Sequence, residues 1–332
     1  MPKLNRRPFV ALAAAAAAWA LPGCAQACTT ATASIDLGSH SSYGLAANPQ
    51  AGSGSAGLQC DILLAALTPH YIALQVDAST FRLTGPGGHQ IAYTASLTPG
   101  GPPLSVGVFQ NLSSLSIVSL FAGTNNSIPL YIRTAATSAL PAGTYSGTID
   151  LRWYYSVCAL GVAVCLGYSE SPGFARPLLI PPSNWGTGDA VRINIELRVE
   201  NDCVITAPDL DFGSSPLAGS FNSVIRAIMI RCSAGAAYSV GLDDGDHAAG
   251  GVRRMANGAH HLQYEIYKSL SLSDRWGAVG GARRGSDTAD VGAGVYNSVT
   301  TQMFGYRAQI LPGQVTPPPG TYSDTIRIDV DF

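Results

Sequence analysis

Short β-rich runs recur along the chain, such as Tyr71-Ile72-Ala73-Leu74-Gln75-Val76, Thr148 to Tyr155 and Tyr238-Ser239-Val240-Gly241-Leu242. Two runs alternate strictly between apolar and polar residues: Val191-Arg192-Ile193-Asn194-Ile195-Glu196-Leu197-Arg198-Val199 and Ile326-Arg327-Ile328-Asp329-Val330-Asp331-Phe332. A two-residue period sends alternate side chains to opposite faces of a sheet, so these stretches read as strands. Gly, Pro and Ser bound them, as turns require. No segment sustains a 3.6-residue apolar period with caps, so helix beyond single turns is not expected. The pattern predicts an all-β protein built as β-sandwiches.

The chain also repeats itself. Cys28-Thr29-Thr30-Ala31-Thr32-Ala33-Ser34-Ile35-Asp36-Leu37-Gly38-Ser39 leads to a second cysteine at Cys60, and Cys203-Val204-Ile205-Thr206-Ala207-Pro208-Asp209-Leu210-Asp211-Phe212-Gly213-Ser214 leads to Cys232. Pro141-Ala142-Gly143-Thr144-Tyr145-Ser146 returns as Pro318-Pro319-Gly320-Thr321-Tyr322-Ser323. These matches indicate a tandem duplication with a unit at 28–200 and another at 201–332. Disulfides Cys28–Cys60 and Cys203–Cys232 would tie each first strand to a neighbour, contributing roughly 3 to 4 kcal/mol each by loop closure.

The units close differently. After its Thr148 to Tyr155 strand the first unit continues to the alternating segment Val191 to Val199, whereas the second closes on Ile326 to Phe332. The second sandwich is therefore expected to lack its closing strand. Ile326, Ile328, Val330 and Phe332 would line an open apolar acceptor groove, a place for a strand from another chain. With Cys28 already in the first strand, the exported chain is expected to accept a strand without offering one, which places it at the distal end of a fibre.

Across 202–332 the chain resembles the spore coat protein U family of secreted bacterial pilins. The resemblance rests on Cys203, Leu210-Asp211-Phe212-Gly213, Cys232, Val240-Gly241-Leu242, Arg254-Met255, Leu262 to Tyr267, Arg275-Trp276-Gly277 and Tyr322 to Ile326. The first unit matches only at its ends, through Cys28, Leu37-Gly38, Cys60 and Gly143-Thr144-Tyr145. A two-unit chain with a divergent first unit looks like the tip adhesins of Csu-type (archaic) chaperone-usher pili. That likeness implies immunoglobulin-like folds and assembly by donor-strand exchange. It also implies as partners a periplasmic chaperone, an outer-membrane usher and a next pilin subunit, and apolar loops that bind hydrophobic surfaces in biofilm formation.

The segment that fits such a binding role is Trp153 to Tyr168, where Cys158 and Cys165 enclose six residues that are all apolar or Gly. A disulfide-closed hairpin turns at the surface, so Val157, Ala159, Leu160, Val162, Ala163, Val164 and Leu166 are expected to form an exposed apolar finger. Secondary loop candidates are Pro102, Pro103, Leu104, Val106 and Val108, with Tyr43-Gly44-Leu45-Ala46-Ala47 as another loop that could share the same pole. An alternative is a glycan-binding, lectin-like tip using Tyr154, Tyr155, Tyr168 and Trp185.

Composition sharpens the picture. Charged residues are 12% of the 332, about half the ~25% usual in globular chains, and the only lysines are Lys3 and Lys268. Nucleic-acid binding by phosphate neutralisation is excluded. Residues 1–27 combine Lys3, Arg6 and Arg7 with an apolar run and Ala25-Gln26-Ala27, the marks of a secretory signal peptide and of export through the periplasm to the cell exterior. Twin-arginine export, or acylation of Cys24 to give a lipid-anchored outer-membrane protein, are the other readings of this segment. Cleavage after Ala27 removes three of 19 basic residues and none of 21 acidic ones, leaving a net charge of −5. It also leaves six of seven cysteines, an even number suited to three disulfides in an oxidising compartment.

Enzyme chemistry is not expected. Gly52-Ser53-Gly54-Ser55-Ala56-Gly57 precedes a strand instead of opening a helix after one. Asp243-Asp244-Gly245-Asp246-His247 lacks the spacing and the bidentate Glu of a calcium loop. The histidines show no metal-ligand pairing, so no catalytic residue, metal or cofactor is expected.

Overall fold

The computed structural model describes residues 28–61, 68–160, 165–177, 181–268 and 272–332. The expected signal at 1–27 and the finger residues Val162, Ala163 and Val164 lie outside the described residues. The first half contains β1 (Cys28–Thr30), β2 (Ala33–Ser41), β3 (Ala51–Cys60), β4 (Tyr71–Ser79), β5 (Arg82–Thr84) and β6 (Gln90–Ser96). It continues with β7 (Phe109–Asn111), β8 (Ser127–Thr134), β9 (Gly143–Leu160), β10 (Gly167–Glu170) and β11 (Asp189–Glu200). Its two short helices are α1 (Ser42–Ala47) and α2 (Ile117–Leu120).

Strands β1-β3-β8-β6 form one layer, and β5 links β6 to β9-β11-β2 in the other, so one hydrogen-bonded surface folds over on itself. Leu58, Leu130 and Ile132 from one layer and Leu151, Trp153 and Ile193 from the other share one buried cluster. The Trp153 indole fills this core and donates from Nε1 to the Ala56 carbonyl at 2.8 Å, which satisfies its only polar atom.

The second half contains β12 (Cys203–Thr206), β13 (Val224–Cys232), β14 (Ser239–Leu242) and β15 (Arg253–Asn257). It ends with β16 (His260–Tyr267), β17 (Arg284–Gly285), β18 (Gln302–Ile310) and β19 (Ile328–Asp331). A five-stranded sheet, β12-β13-β18-β16-β15, packs on a three-stranded one, β17-β14-β19. Trp276, Phe304 and Val240 belong to its core. The fully buried Arg253 donates to the carbonyls of Leu242 at 3.0 Å and Trp276 at 2.8 Å and pairs with Glu265. A buried cation is tolerable only with such saturation of its donors.

The duplication is visible in geometry. Cys28 and Cys60 face each other across β1 and β3, and Cys203 and Cys232 across β12 and β13, each pair with Cα atoms 4.0 Å apart. Tyr145 donates its hydroxyl to the Pro141 carbonyl at 3.0 Å, and Tyr322 does the same to Pro318 at 2.8 Å.

Two strands differ in length from their sequence pattern for one reason. β9 extends beyond Thr148 to Tyr155 because β11 lies antiparallel along Gly143 to Trp153 while β4 pairs with its other edge. Its counterpart in the second half forms a ladder only at Ile328–Asp331, preceded by a single bridge from Ser323 to Ala256. Likewise β2 pairs parallel with β11 through Ile195 and Ile35, whereas the matching residues 207–214 form no strand. Among the described residues nothing in the second half stands where β11 stands in the first.

Candidate functional site

The first half meets the second at the end where β9 begins. Pro141 bridges Ala234, the Ser42 and Ser233 hydroxyls lie 2.7 Å apart in a buried contact, and Tyr43 donates to the Cys232 carbonyl at 3.2 Å. From there β9 runs unbroken for 18 residues, roughly 60 Å at about 3.3 Å per residue. It carries its far end, with the Cys158–Cys165 disulfide, to the opposite pole.

At that pole β9 turns into β10, with Ser156 opposite Glu170 and Cys158 opposite Tyr168. The root of the hairpin is clamped by Arg176. Its guanidinium donates to Ser156 Oγ at 2.6 Å and to the Pro69 carbonyl at 2.6 Å, and lies 3.6 Å from the Tyr168 ring centroid. Ser156 in turn donates to Glu170 at 2.7 Å. Charge-assisted bonds and ring stacking together hold β9 and β10 at this root.

The expected finger residues divide. Leu166 is 78% exposed, and Ala159 is half-buried. Val157 is fully buried, which corrects its assignment to the contact surface: the alternation that turns Leu151 and Trp153 inward also turns Val157 inward, making it the anchor of the hairpin. The Leu160 backbone pairs with Gly167.

The secondary loops lie elsewhere. Pro102, Pro103, Val106 and Val108 are exposed, but Leu104 is 5% exposed and packs in the core, so it belongs to the fold and not to a contact surface. Val106 bridges Val76, which pairs with Leu151. That is seven residues before Cys158, roughly 23 Å down the strand. This loop therefore flanks the sheet instead of joining the finger. The Tyr43 to Ala47 segment is α1, turned against the second half at the opposite pole.

Two residues that sequence reading missed stand beside the finger. His70 donates from Nε2 to the Leu115 carbonyl at 3.0 Å, and the adjacent Tyr71 pairs with Ser156. Leu115 and Val118 are 47% and 57% exposed, while their neighbours Leu112 and Ile117 are buried. The signal available was an excess of apolar residues in Leu112 to Val118, more than a single short turn can bury. Burial lowers the His70 pKa below its ordinary value; carbonyls of Leu115 and Thr68 oppose this, and the Arg176 charge adds a smaller push downward.

The aromatic residues do not converge on a pocket. Tyr155 is in the core and donates to Asp189 at 2.9 Å. Tyr154, Phe109, Trp185, Phe174 and Tyr71 form a row with successive centroids 5.4, 5.2, 5.5 and 6.2 Å apart. These rings occupy one another's edges and faces and fasten the segment around Phe174 and Trp185 to the outer face of β4 and β9.

A second candidate region lies in the second half. A cavity of about 470 Å³ opens between residues 207–212 and 322–328, walled by Leu210, Phe212, Met255, Ile326 and Ile328. Ile149, Leu151, Trp153 and Tyr155 in β9 are at most 1% exposed. Their counterparts Ile326, Ile328 and Val330 are only half-buried, and Phe332 is 52% exposed against Tyr238. Ile326 and Ile328 thus line the cavity, while Val330 and Phe332 continue the row beyond it. At its floor the almost fully buried Asp324 carboxylate accepts from Tyr264 Oη at 2.8 Å, the Asp246 amide at 3.0 Å and His247 Nδ1 at 3.0 Å. Burial, then the bond to Asp324, raises the Tyr264 phenol far above its ordinary pKa.

The model of the spore coat protein U domain matches residues 14–152 and again 189–329. The chain belongs to the spore coat protein U family. Among solved structures it is similar to a chain of the pre-assembly complex between chaperone CsuC and tip adhesion subunit CsuE, from archaic chaperone-usher Csu pili of Acinetobacter baumannii. The identity is 30% over 92% of this chain and 100% of that one, with a TM-score of 0.69. CfaE, the adhesive subunit of CFA/I fimbriae of enterotoxigenic Escherichia coli, is 10% identical over 91% of this chain and 93% of its own, with a TM-score of 0.30, too weak a likeness to bear on this chain. No curated protein sequence matches.

The second spore coat protein U match begins at residue 189 and so takes in β11, the strand that completes the first half. The solved relative at 30% identity is a tip adhesion subunit of a pilus, not an enzyme. Among the described residues no group of three or more His, Cys, Asp or Glu could hold a metal ion, and no helix is long and apolar enough to cross a membrane.

Proposed function

We propose that this spore coat protein U chain is the tip adhesin of a chaperone-usher pilus, attaching cells to hydrophobic surfaces and promoting biofilm formation. The observation that carries the reading is the run of β9 from the Pro141 junction to the Cys158–Cys165 hairpin. It sets an apolar pole with exposed Leu115, Val118 and Leu166 opposite the half that contains the open cavity.

In the second half, the slot between residues 207–214 and β19 is the acceptor for a strand, supplied first by a periplasmic chaperone and then, at the usher, by the next pilin subunit. β11 is the template for that strand: Val191, Ile193, Ile195, Leu197 and Val199 point into the first core while the intervening residues face out. Five such side chains bring roughly 8 to 15 kcal/mol of gross burial, which accounts for both the need for a donor and the strength of the resulting joint. The likeness to a chaperone-bound tip adhesion subunit supports the chaperone as first partner.

The test is adhesion to polystyrene by piliated cells carrying Leu115→Ser, Val118→Ser and Leu166→Ser together. Loss of attachment with undiminished pili on the surface is expected; unimpaired attachment would remove the pole from the adhesive role.

A further inference from the structure

The joint inside this chain shows how one unit sits on the next. β11 fills the first half and ends at Glu200, and β12 of the second half begins at Cys203. The connection is held by Ser233, which accepts from the Asp202 amide at 2.8 Å and donates its own amide to the Asp202 carbonyl at 2.9 Å. Cys232 and the two residues that follow it then seat against Tyr43, Ser42 and Pro141. A filled slot therefore comes with a second contact outside it, made by the turn after the cysteine that closes the incoming unit's first disulfide.

The duplication locates the same face on the second half. Three residues beyond Ser39 is Ser42, and three beyond Ser214 is Leu217; each opens a helical turn, α1 in one case and Ala218–Ser220 in the other. Pro141 corresponds to Pro318, and each is fixed by the hydroxyl of the tyrosine four residues on. The Ala218 amide donates to Thr316 Oγ1 at 3.1 Å, joining the two segments of this face. Yet where Ser42 is 4% exposed in its contact, Leu217 is 57% exposed and neighbouring Val315 is 90% exposed.

We infer that Leu217, Val315 and Pro318 form a docking face for the next subunit of the fibre, used together with the strand slot. Its occupant is a spore coat U-type unit whose donor strand fills the slot and whose post-cysteine turn covers Leu217 and Pro318, as Ser233 and Ala234 cover Ser42 and Pro141. The inference rests on the acceptor-strand reading above and adds a contact that a donor strand alone does not make. An exposed leucine at a position that is covered in the homologous joint is the mark of an interface, and exposed Val315 extends its apolar surface. The second contact also fixes the angle between successive subunits, which a strand in a slot leaves less constrained.

The experiment compares two probes on the full-length chain: a purified spore coat U-type pilin with an alternating apolar N-terminal segment, and a synthetic peptide of that segment alone. Leu217→Asp with Val315→Asp is expected to speed dissociation of the pilin roughly tenfold or more, since burying even one such side chain is worth a factor of that order. The peptide's dissociation rate should be unchanged. Leu217→Ser, which keeps the turn, should show the same selectivity with a smaller effect. Unchanged pilin dissociation, or an equal loss for peptide and pilin, overturns the docking face. Failure of both probes to bind the unaltered chain defeats the acceptor-strand reading itself, and this inference with it.

Discussion

Tyr322 donates its hydroxyl to the Pro318 carbonyl at 2.8 Å, reproducing the bond from Tyr145 to Pro141 at 3.0 Å. Burial within the first core drives the Tyr145 phenol up to about 12. Immediately after these matched corners the halves part: β9 acquires β11 as a neighbour, and residues 322–327 make only the single bridge from Ser323 to Ala256 among the described residues. The contrast explains why one half has its equivalent row buried and the other leaves it half-exposed.

A strand supplied in trans should therefore stabilise the second half alone. A peptide with five alternating apolar residues, at 100 times its Kd, is expected to add about 2.7 kcal/mol, read by calorimetry as a rise in one of two thermal transitions. Ile326→Asp with Ile328→Asp should abolish the rise by placing charge on the apolar wall of the cavity. A rise that survives these changes would mean that the peptide binds elsewhere.

The Cys158–Cys165 bond closes a loop of separation seven at the end of β9, and the loop-closure estimate gives about 2.5 kcal/mol. Cys158→Ala with Cys165→Ala should increase proteolytic cleavage between these positions and reduce attachment to polystyrene. The second half's thermal transition should not move. Cleavage at the wild-type rate would show that Arg176 alone holds the finger.

Arg176 ties Ser156, Pro69 and Tyr168 at the finger root. Arg176→Met keeps the aliphatic stem but removes the donors, leaving Ser156 and Pro69 without these bonds. A loss of about 2 to 3 kcal/mol from the first half is expected, with faster hydrogen exchange in β10 than in β4. Equal acceleration in both strands would point to general destabilisation instead of a local clamp.

His70 is neutral by preference in the folded protein because burial lowers its pKa from 6.5. A depressed folded value means that the unfolded chain binds more protons, so the stabilisation is complete above about pH 6.5 and is lost as pH falls through the folded value. The first half should melt at a lower temperature at pH 5 than at pH 7.5, and His70→Gln should shrink that difference. An undiminished difference would assign the pH response to another group.

Much of the site was legible in the residues because it rests on local rules. The cysteine spacing, the Pro-Gly-Thr-Tyr corner and the alternation of Val191 to Val199 each express a short-range constraint, and each appears as a disulfide, a turn or a strand. Leu115 and Val118 escape a sequence reading because their place depends on β4 pairing with β9 across seventy or more residues of sequence and on the His70 bond to the Leu115 carbonyl. Leu104 and Val157 are buried where the sequence suggests exposure, because an apolar residue in a loop or hairpin reads the same whether it faces water or the core.

By itself, the sequence determined the duplication, the β class, the disulfide pairs and the apolar row Ile326, Ile328, Val330 and Phe332, all of which follow from periodicity and spacing. Only the tertiary structure decided which pole each loop occupies and that Pro141, Ser42 and Tyr43 belong to the joint. The reason is physical: strand register and sheet order are set by packing between distant segments, and a shift of a few residues along β9 moves a loop by roughly 10 Å without changing any local pattern.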